Sequence, residues 1–350
     1  MKILIHRKDN IGDTVLSLPF IRRVSKIWPH AEITYWGPDY VASIFDHYVG
    51  EVSYVGYPKS KHANRWFGKF SGVLSKLKNM IHFRHKNFDL LFFLGDGTSP
   101  YARQVGLLIA PKKLISFFPS ERDAQLKDEK TRYLLIGSPI HNRQPEFLEI
   151  MKILNPFSKS NLVELDDPPF LRVSEEEKRG LRADLGLFGR PLIGIHLSAR
   201  RPKQRWPLEY FEQLTRLLNE QHPSVGILIT WSPGDTSNVE HPGDDLASAR
   251  LKKRLDGIEL IRFCPTESLG DLLHVQSICN VVFCADGGAM HTAAALGIRV
   301  VAIFGDSNPT RWRPIGDGHI ILASDSTDVA DISVNQVHRA ISSVLDHAYD

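Results

Sequence analysis

The chain predicts two successive open α/β domains, each a mostly parallel sheet with helices between its strands. Three observations carry this. Short apolar, β-branched runs alternate with helix-length amphipathic segments, and the series occurs twice. A stretch rich in Pro, Ser and Asn, 155–174, separates the two series. A length of 350 residues exceeds one ordinary core and suits two domains of roughly 150 residues each. The boundaries expected are 1–165 and 175–333, with 334–350 a terminal helix that can return to pack on the first domain. Sheets of this kind bind ligands beyond the carboxyl ends of their strands. The active site is therefore expected in a cleft between the two domains.

In the first series the strands fall at 2–7 (KILIHR), 31–37, 51–57, 89–94 (DLLFFL) and 113–117. Helices fit at 14–28, 39–47, 72–84, 101–109 and about 143–154. The second series opens at Ser174, an N-cap followed by three acids that suit the first turn of a helix. Its strands are 191–197 (PLIGIHL), 225–231, 258–263, 281–285, 300–304 and 319–323. Helices fit at 207–220, 239–254, 268–277, 288–296 and 334–347.

An apolar content of 42% and a charged content of 24% are those of a soluble globular protein. The first ten residues hold only a three-residue apolar run, too short for a secretory leader. No window reaches the ~18 apolar residues of a spanning helix. Cys264, Cys279 and Cys284 lack metal-ligand spacing and read as reduced, buried thiols, so the chain is expected in the cytoplasm with no metal. Net charge is only +3, but it is unevenly placed: no Asp or Glu occurs from Ser53 to Phe88. Lys59, Lys61, Arg65, Lys76 and Lys78 lie there among Trp66, Phe67, Leu74, Leu77 and Ile81. Such a segment suits an anionic membrane or a polyanionic acceptor, or packs its apolar side on its own domain.

Four loops carry candidate chemistry. After the first strand comes "RKDNIGDTV", without the G-x-G-x-x-G of a dinucleotide site. Asp13 at that helix start can serve as a general base or satisfy orphan amides. Strand 191–197 runs into "SARRPKQRWP", where Ser198, Arg201, Lys203 and Arg205 suit a phosphate or a set of surface salt links. In "CADGGAMHTAAALG", Asp286 ends a strand, and Gly287 and Gly288 let the backbone approach a ligand. Free helix amides there favour a diphosphate, with His291 one turn in. "FGDSNPTRWRPIG" closes the next strand with Asp306, Ser307 and Asn308.

Together, "IGD" with "LSLPFIRRV", the "H…RWP" loop, "ADGGAMHTAAALG" and "FGDSNPTRWRPIG" resemble, in order, glycosyltransferase family 9, the lipopolysaccharide heptosyltransferases. The resemblance runs from Met1 to about Ser324. It implies the GT-B fold, two Rossmann-like domains facing a cleft, and an inverting, metal-independent transferase at the cytoplasmic face of the inner membrane. By that resemblance Asp13 is the catalytic base. Ser198 and a nearby cation (Lys203, Arg201 or Arg205) contact donor phosphates, and Asp286, Gly287, Gly288 and His291 form the donor site. The donor implied is a nucleotide-diphospho-sugar such as ADP-heptose; the acceptor is an anionic glycolipid or glycan, with no nucleic acid partner. Cleft closure then excludes water from the sugar nucleotide. The chain departs from the family at Gln204, where lysine is usual two residues before the tryptophan, and at Gly287, where threonine is frequent. A nucleotide-sugar epimerase or hydrolase on the same fold, and an inactive sugar-nucleotide binder of envelope assembly, are the competing expectations.

Overall fold

The first sheet grows outward from β1 (Lys2–His6) in a computed structural model. It describes residues 1–58, 66–119, 125–128, 132–138, 144–157, 167–238 and 242–346. The chain divides into two units, Met1–Asp166 and Asp167–Asp350. In the first, β2 (Glu32–Pro38), β3 (Ser53–Tyr57), β4 (Leu90–Asp96), β5 (Lys113–Pro119), β6 (Gln125–Asp128) and β7 (Tyr133–Ser138) join β1. The strand order is β3-β2-β1-β4-β5-β7-β6. All pairs are parallel except β6 with β7. Neither strand is among those expected: the apolar run YLLIGS was passed over, and QLKD has no alternating apolar pattern. Pairing with β7 rather than burial makes it a strand.

The helix expected over 14–28 is broken into α1 (Ile11–Val15) and α2 (Leu18–Ile27). Pro19, second in α2, has no N–H to donate to the Val15 carbonyl, so a continuous helix cannot form there. Next come α3 (Ala42–Asp46), α4 (Trp66–Lys86), α5 (Pro100–Ile109) and α6 (Glu146–Met151). One face of the sheet packs Leu4, Trp36, Leu91 and Phe93 against Met80 and Phe83 of α4 and Val105 of α5.

The second unit holds β8 (Leu192–His196), β9 (Gly226–Trp231), β10 (Ile261–Pro265), β11 (Val281–Ala285), β12 (Arg299–Phe304) and β13 (Ile320–Ala323). Their order is β10-β9-β8-β11-β12-β13, all parallel. Counted along the chain this is 3-2-1-4-5-6, the Rossmann order. Strands buried on both faces need no alternation, which is why VVFCA and VVAIF read as continuous apolar runs. The helices are α7 (Glu175–Asp184), α8 (Leu208–Gln221), α9 (Asp245–Arg254), α10 (Leu269–Ser277), α11 (Gly288–Ala295), α12 (Pro309–Trp312) and α13 (Val334–Asp346). Ser174 caps α7: its hydroxyl accepts from the Glu177 N–H (3.2 Å), and the Glu177 carboxylate accepts from the Ser174 N–H (2.9 Å).

The terminal helix α13 packs on α8 and beside β11, β12 and β13. Its apolar stripe Val337, Ile341, Val344 and Leu345 completes the core around Phe211, Leu214 and Phe283. Burial of each such side chain stabilises the fold by about 1.5–3 kcal/mol. The opposite face packs Met290, Ala293 and Ala294 of α11 on Val282, Cys284, Ala302 and Phe304. All three cysteines are buried free thiols.

Each sheet ends its first strand in a buried histidine. His6 meets the Trp36 carbonyl (2.8 Å) and the Tyr101 hydroxyl (2.9 Å); His196 meets the Thr230 hydroxyl (3.0 Å). Loss of hydration on burial lowers their pKa values from 6.5 to about 3 and about 4. Both are therefore neutral when folded at pH 5, where the unfolded chain binds their protons. Stability is accordingly present above the unfolded value and is lost as pH falls toward the folded values. Between pH 7 and pH 5 the expected loss is about 2 kcal/mol per histidine. Urea unfolding at the two pH values measures it. His196→Gln should remove the second unit's share, and midpoints that do not move with pH contradict this assignment.

Candidate active site

In the second unit β8 lies between β9 and β11, so the chain leaves β8 for β9 and later returns to its other side at β11. Loops at such a reversal diverge and leave a crevice beyond the carboxyl ends of the two strands. Three loops supply its polar groups. Asp286 follows β11, and its N–H donates to the Ile303 carbonyl (3.0 Å), fixing the turn. Its Oδ2 accepts from the Ser307 hydroxyl (2.6 Å) beyond β12 and from the Gln204 amide (3.1 Å) beyond β8. Gln204 also donates to Ser307 Oγ (3.3 Å) and is itself buried. Charge-assisted bonds of this kind are among the stronger side-chain contacts. They make Asp286 the point at which the loops after β8, β11 and β12 meet.

Close backbone approach reinforces that junction. A Cβ on Gly305 would lie 2.4 Å from the Lys203 carbonyl oxygen and 3.0 Å from that of Thr327. Only glycine lets the 202–204 turn and the loop after β13 close on the end of β12.

Beside Asp286, helix α11 begins without any side-chain cap. The first-turn N–H groups of such a helix have no intrahelical acceptor, and they carry the positive end of its dipole. Gly287, the N-cap, has extended backbone, and nothing stands within 4 Å of where its Cβ would be. A threonine would fit there, so glycine leaves open space in front of the amides. His291 sits within α11 at 3% exposure, its ring enclosed by the unit.

The expected phosphate-binding residues take different positions. Ser198 Oγ accepts from the Ser232 N–H (2.9 Å), tying the β8 and β9 loops together. Arg205 is committed to a two-pronged pair with buried Asp244 (2.6 and 3.3 Å) and to the Pro242 carbonyl. Lys203 reaches the Thr327 hydroxyl (3.3 Å), and Arg201 pairs with Asp306 (3.2 Å); both cations are exposed. The position usually held by lysine is thus filled by the Gln204 amide, while Lys203 lies beside it on the surface. Trp206 anchors the loop from below, its indole donating to the Ile332 carbonyl (2.9 Å) and its ring packed on Phe211 and Phe283.

At the carboxyl end of β1, Asp13 occupies the third position of α1. Its Oδ2 accepts from the Asn10 N–H (3.0 Å) and its Oδ1 from Arg7 Nη2 (2.9 Å). Asp13 is thus the helix-terminal acceptor that its position suggested, and its side chain keeps 16% of its surface exposed. Arg7 is almost wholly buried and also pairs with Glu146 (2.9 Å) and Asp9 (3.5 Å). Burial opposes its charge, yet the three carboxylates more than offset this and hold its pKa above the ordinary arginine value. Three acids thus surround one buried guanidinium. Sequence reasoning passed over Arg7 and Glu146. An arginine ending a strand carries no special signal, and its partner is 139 residues away.

Lys76 and Lys78 separate in the structure. The Lys76 ammonium turns inward over the Tyr57 ring (4.4 Å from its centre) and toward Tyr101 (5.9 Å). Burial, with nearby Lys8, lowers its pKa. Lys78 is exposed. Lys59, Lys61 and Arg65 lie outside the described residues.

The Gly305 junction is testable. Gly305→Ala should cost about 1–3 kcal/mol, since backbone carbonyls cannot swing away as a side chain can. Gly287→Ala, with open space before it, should stay within about 0.5 kcal/mol of the parent. Denaturant midpoints compare the two, and an unaffected Gly305→Ala contradicts the close approach.

Comparison with known proteins bears on this architecture. The sequence model of glycosyltransferase family 9 (heptosyltransferase) matches residues 139–339. Lipooligosaccharide heptosyltransferase 2 of Haemophilus influenzae is 24% identical over 55% of this chain and 57% of its own length. Lipopolysaccharide heptosyltransferase 2 of Salmonella typhimurium is 31% identical over 42% of this chain and 40% of its own. The chain thus aligns with about half the length of these curated relatives. Among solved structures, E. coli ADP-heptose lipopolysaccharide heptosyltransferase II superposes with a TM-score of 0.74 at 18% identity, covering both chains fully. The family 9 glycosyl transferase of Veillonella parvula gives 0.77 at 17%, over 99% of this chain and 97% of its own. The fold is the GT-B fold of two Rossmann-like domains, and the chain belongs to glycosyltransferase family 9.

Proposed function

We propose that this protein transfers a sugar, heptose from ADP-heptose, to a lipopolysaccharide core or related envelope glycan, with inversion and without a metal. The observation that carries the reading is the Asp286–Ser307–Gln204 junction beside the uncapped start of α11, inside the segment that matches the family. A nucleoside diphosphate suits that place. The α11 amides and dipole face the charge that builds on the leaving diphosphate, and the exposed cations Lys203 and Arg201 lie on the adjoining loop. That is the electrostatic task a divalent cation performs in other transferases. Asp286, already an acceptor of two hydrogen bonds, suits a neutral hydroxyl of the donor better than its phosphates.

Asp13 then acts as general base. Its carboxylate takes the proton of an acceptor hydroxyl while that oxygen attacks the anomeric carbon. The bond from that carbon to the diphosphate oxygen breaks, and the nucleoside diphosphate leaves with the electron pair. Arg7 and the Asn10 amide hold the carboxylate in one orientation, so no reorganisation accompanies the step. Lys76 and Lys8, gathered around Tyr101, suit an acidic acceptor. The site of action on this reading is the cytoplasmic face of the inner membrane, where such glycans are assembled.

Turnover of ADP-heptose with a lipopolysaccharide-core acceptor tests it. Asp13→Asn keeps the size of the side chain but removes the base, and kcat should fall about 10²–10⁴-fold with the donor Kd unchanged. Activity should survive a chelator. Full activity in Asp13→Asn, or loss to chelator that added metal restores, contradicts the mechanism.

A further inference from the structure

Helix α6 begins on an acid, and the core of the first unit sets where that acid stands. Phe147, Ile150 and Met151 are buried and seat α6 against α2, which fixes the position of its first residue, Glu146. A carboxylate in the first turn is also favoured by the helix dipole. From there the side chain, 14% exposed, reaches the guanidinium of Arg7 at the end of β1.

Arg7 divides its donors unevenly. Nη2 donates both to Asp13 Oδ1 and to Glu146 Oε1, each at 2.9 Å. Nη1 donates to the Ser17 hydroxyl (3.3 Å). Nε is buried and makes no hydrogen bond, with the Asp9 carboxylate 3.5 Å away. Arginine and a carboxylate frequently pair through two parallel N–H···O bonds. Asp13 receives only one, because the second N–H of the same nitrogen is turned to Glu146. Asp13 Oδ2 is thereby left to the Asn10 N–H (3.0 Å). Asp9 is a poor substitute in this division: its side chain is 40% exposed, so water screens its pull on the guanidinium.

We propose that Glu146 is a positioning residue for the transfer reaction, holding Arg7 to a single contact with Asp13. The carboxylate is then oriented without being clasped. Without Glu146 the idle Nε–H and Nη2 close on Asp13 together. Both carboxylate oxygens then face the arginine, and the side chain becomes a poorer acceptor for the proton of the attacking hydroxyl. Glu146 acts through Arg7 and touches no reacting atom. The assignment rests on the reading of Asp13 as the base.

Glu146→Gln tests it, because glutamine keeps the length and an oxygen acceptor but loses the charge. Apolar residues seat α6, so the variant should fold. Its kcat should fall about tenfold with both KM values within about twofold of the parent. In an Asp13→Asn background the same substitution should cost nothing further, since groups that act as a unit are not additive. Glu146→Asp, which retains the charge, should keep more activity than Glu146→Gln, and it carries the same cycle if the glutamine variant does not fold. A second readout needs no turnover. In proton–nitrogen spectra of the full chain the Arg7 Nε–H signal should move downfield in Glu146→Gln as it engages Asp13. Unchanged kcat, a loss confined to KM, an equal loss in the Asp13→Asn background, or an unmoved Arg7 signal overturns the proposal. Absence of transfer by the parent chain overturns the transferase reading instead, and the Arg7 signal alone then decides whether Glu146 divides the guanidinium.

Discussion

Two hydrogen bonds to one oxygen of Asp286, from Ser307 and Gln204, hold together the end of the second sheet. Three loops that share no sequence proximity converge on that carboxylate, and each reaches it because a parallel strand delivers it there. Break the junction and the start of α11 is no longer held against the loops after β8 and β12. The parallel order 3-2-1-4-5-6 supplies the crevice, and Asp286 sets which side chains line it. The missing Cβ at Gly305 is the steric counterpart of the same requirement.

The first unit uses a different device for a comparable end. There a buried arginine, surrounded by Asp13, Glu146 and Asp9, fixes the turn after β1. A guanidinium with five donors can hold several carboxylates in fixed directions, which a lysine cannot do. Both units therefore place an oriented carboxylate beyond a strand that borders the reversal of their sheet, β1 in the first and β11 in the second. One is locked by neutral donors and the other by a charged one. Asp13 and Asp286 consequently suit different tasks, proton transfer and hydroxyl recognition.

Much of this was legible in the sequence because buried parallel strands write themselves as apolar runs, and β1–β5 and β8–β13 were found that way. The positions of Asp13 and Asp286 followed from where those runs stop. What escaped was set by long-range contacts. β6 is a strand only through β7, and α2 begins where it does because Pro19 lacks a donor. The terminal helix packs on α8 because its stripe fits a core that no local pattern describes. Gln204 was visible as a departure from the family, but not that its amide would take a place in the Asp286 junction. Lys76 was read as a surface cation, whereas the rings of Tyr57 and Tyr101 draw it inward.

The central claim is that the turn from β11 into α11 seats a nucleoside diphosphate. Backbone amide NMR of the full chain titrated with ADP tests it most directly. The amides of Gly288, Ala289 and Met290 should show the largest shifts, the Gln204 side-chain amide should move with them, and AMP should leave the α11 amides nearly unchanged. Binding of ADP that leaves those amides unmoved, or an AMP response there equal to that of ADP, would contradict the account.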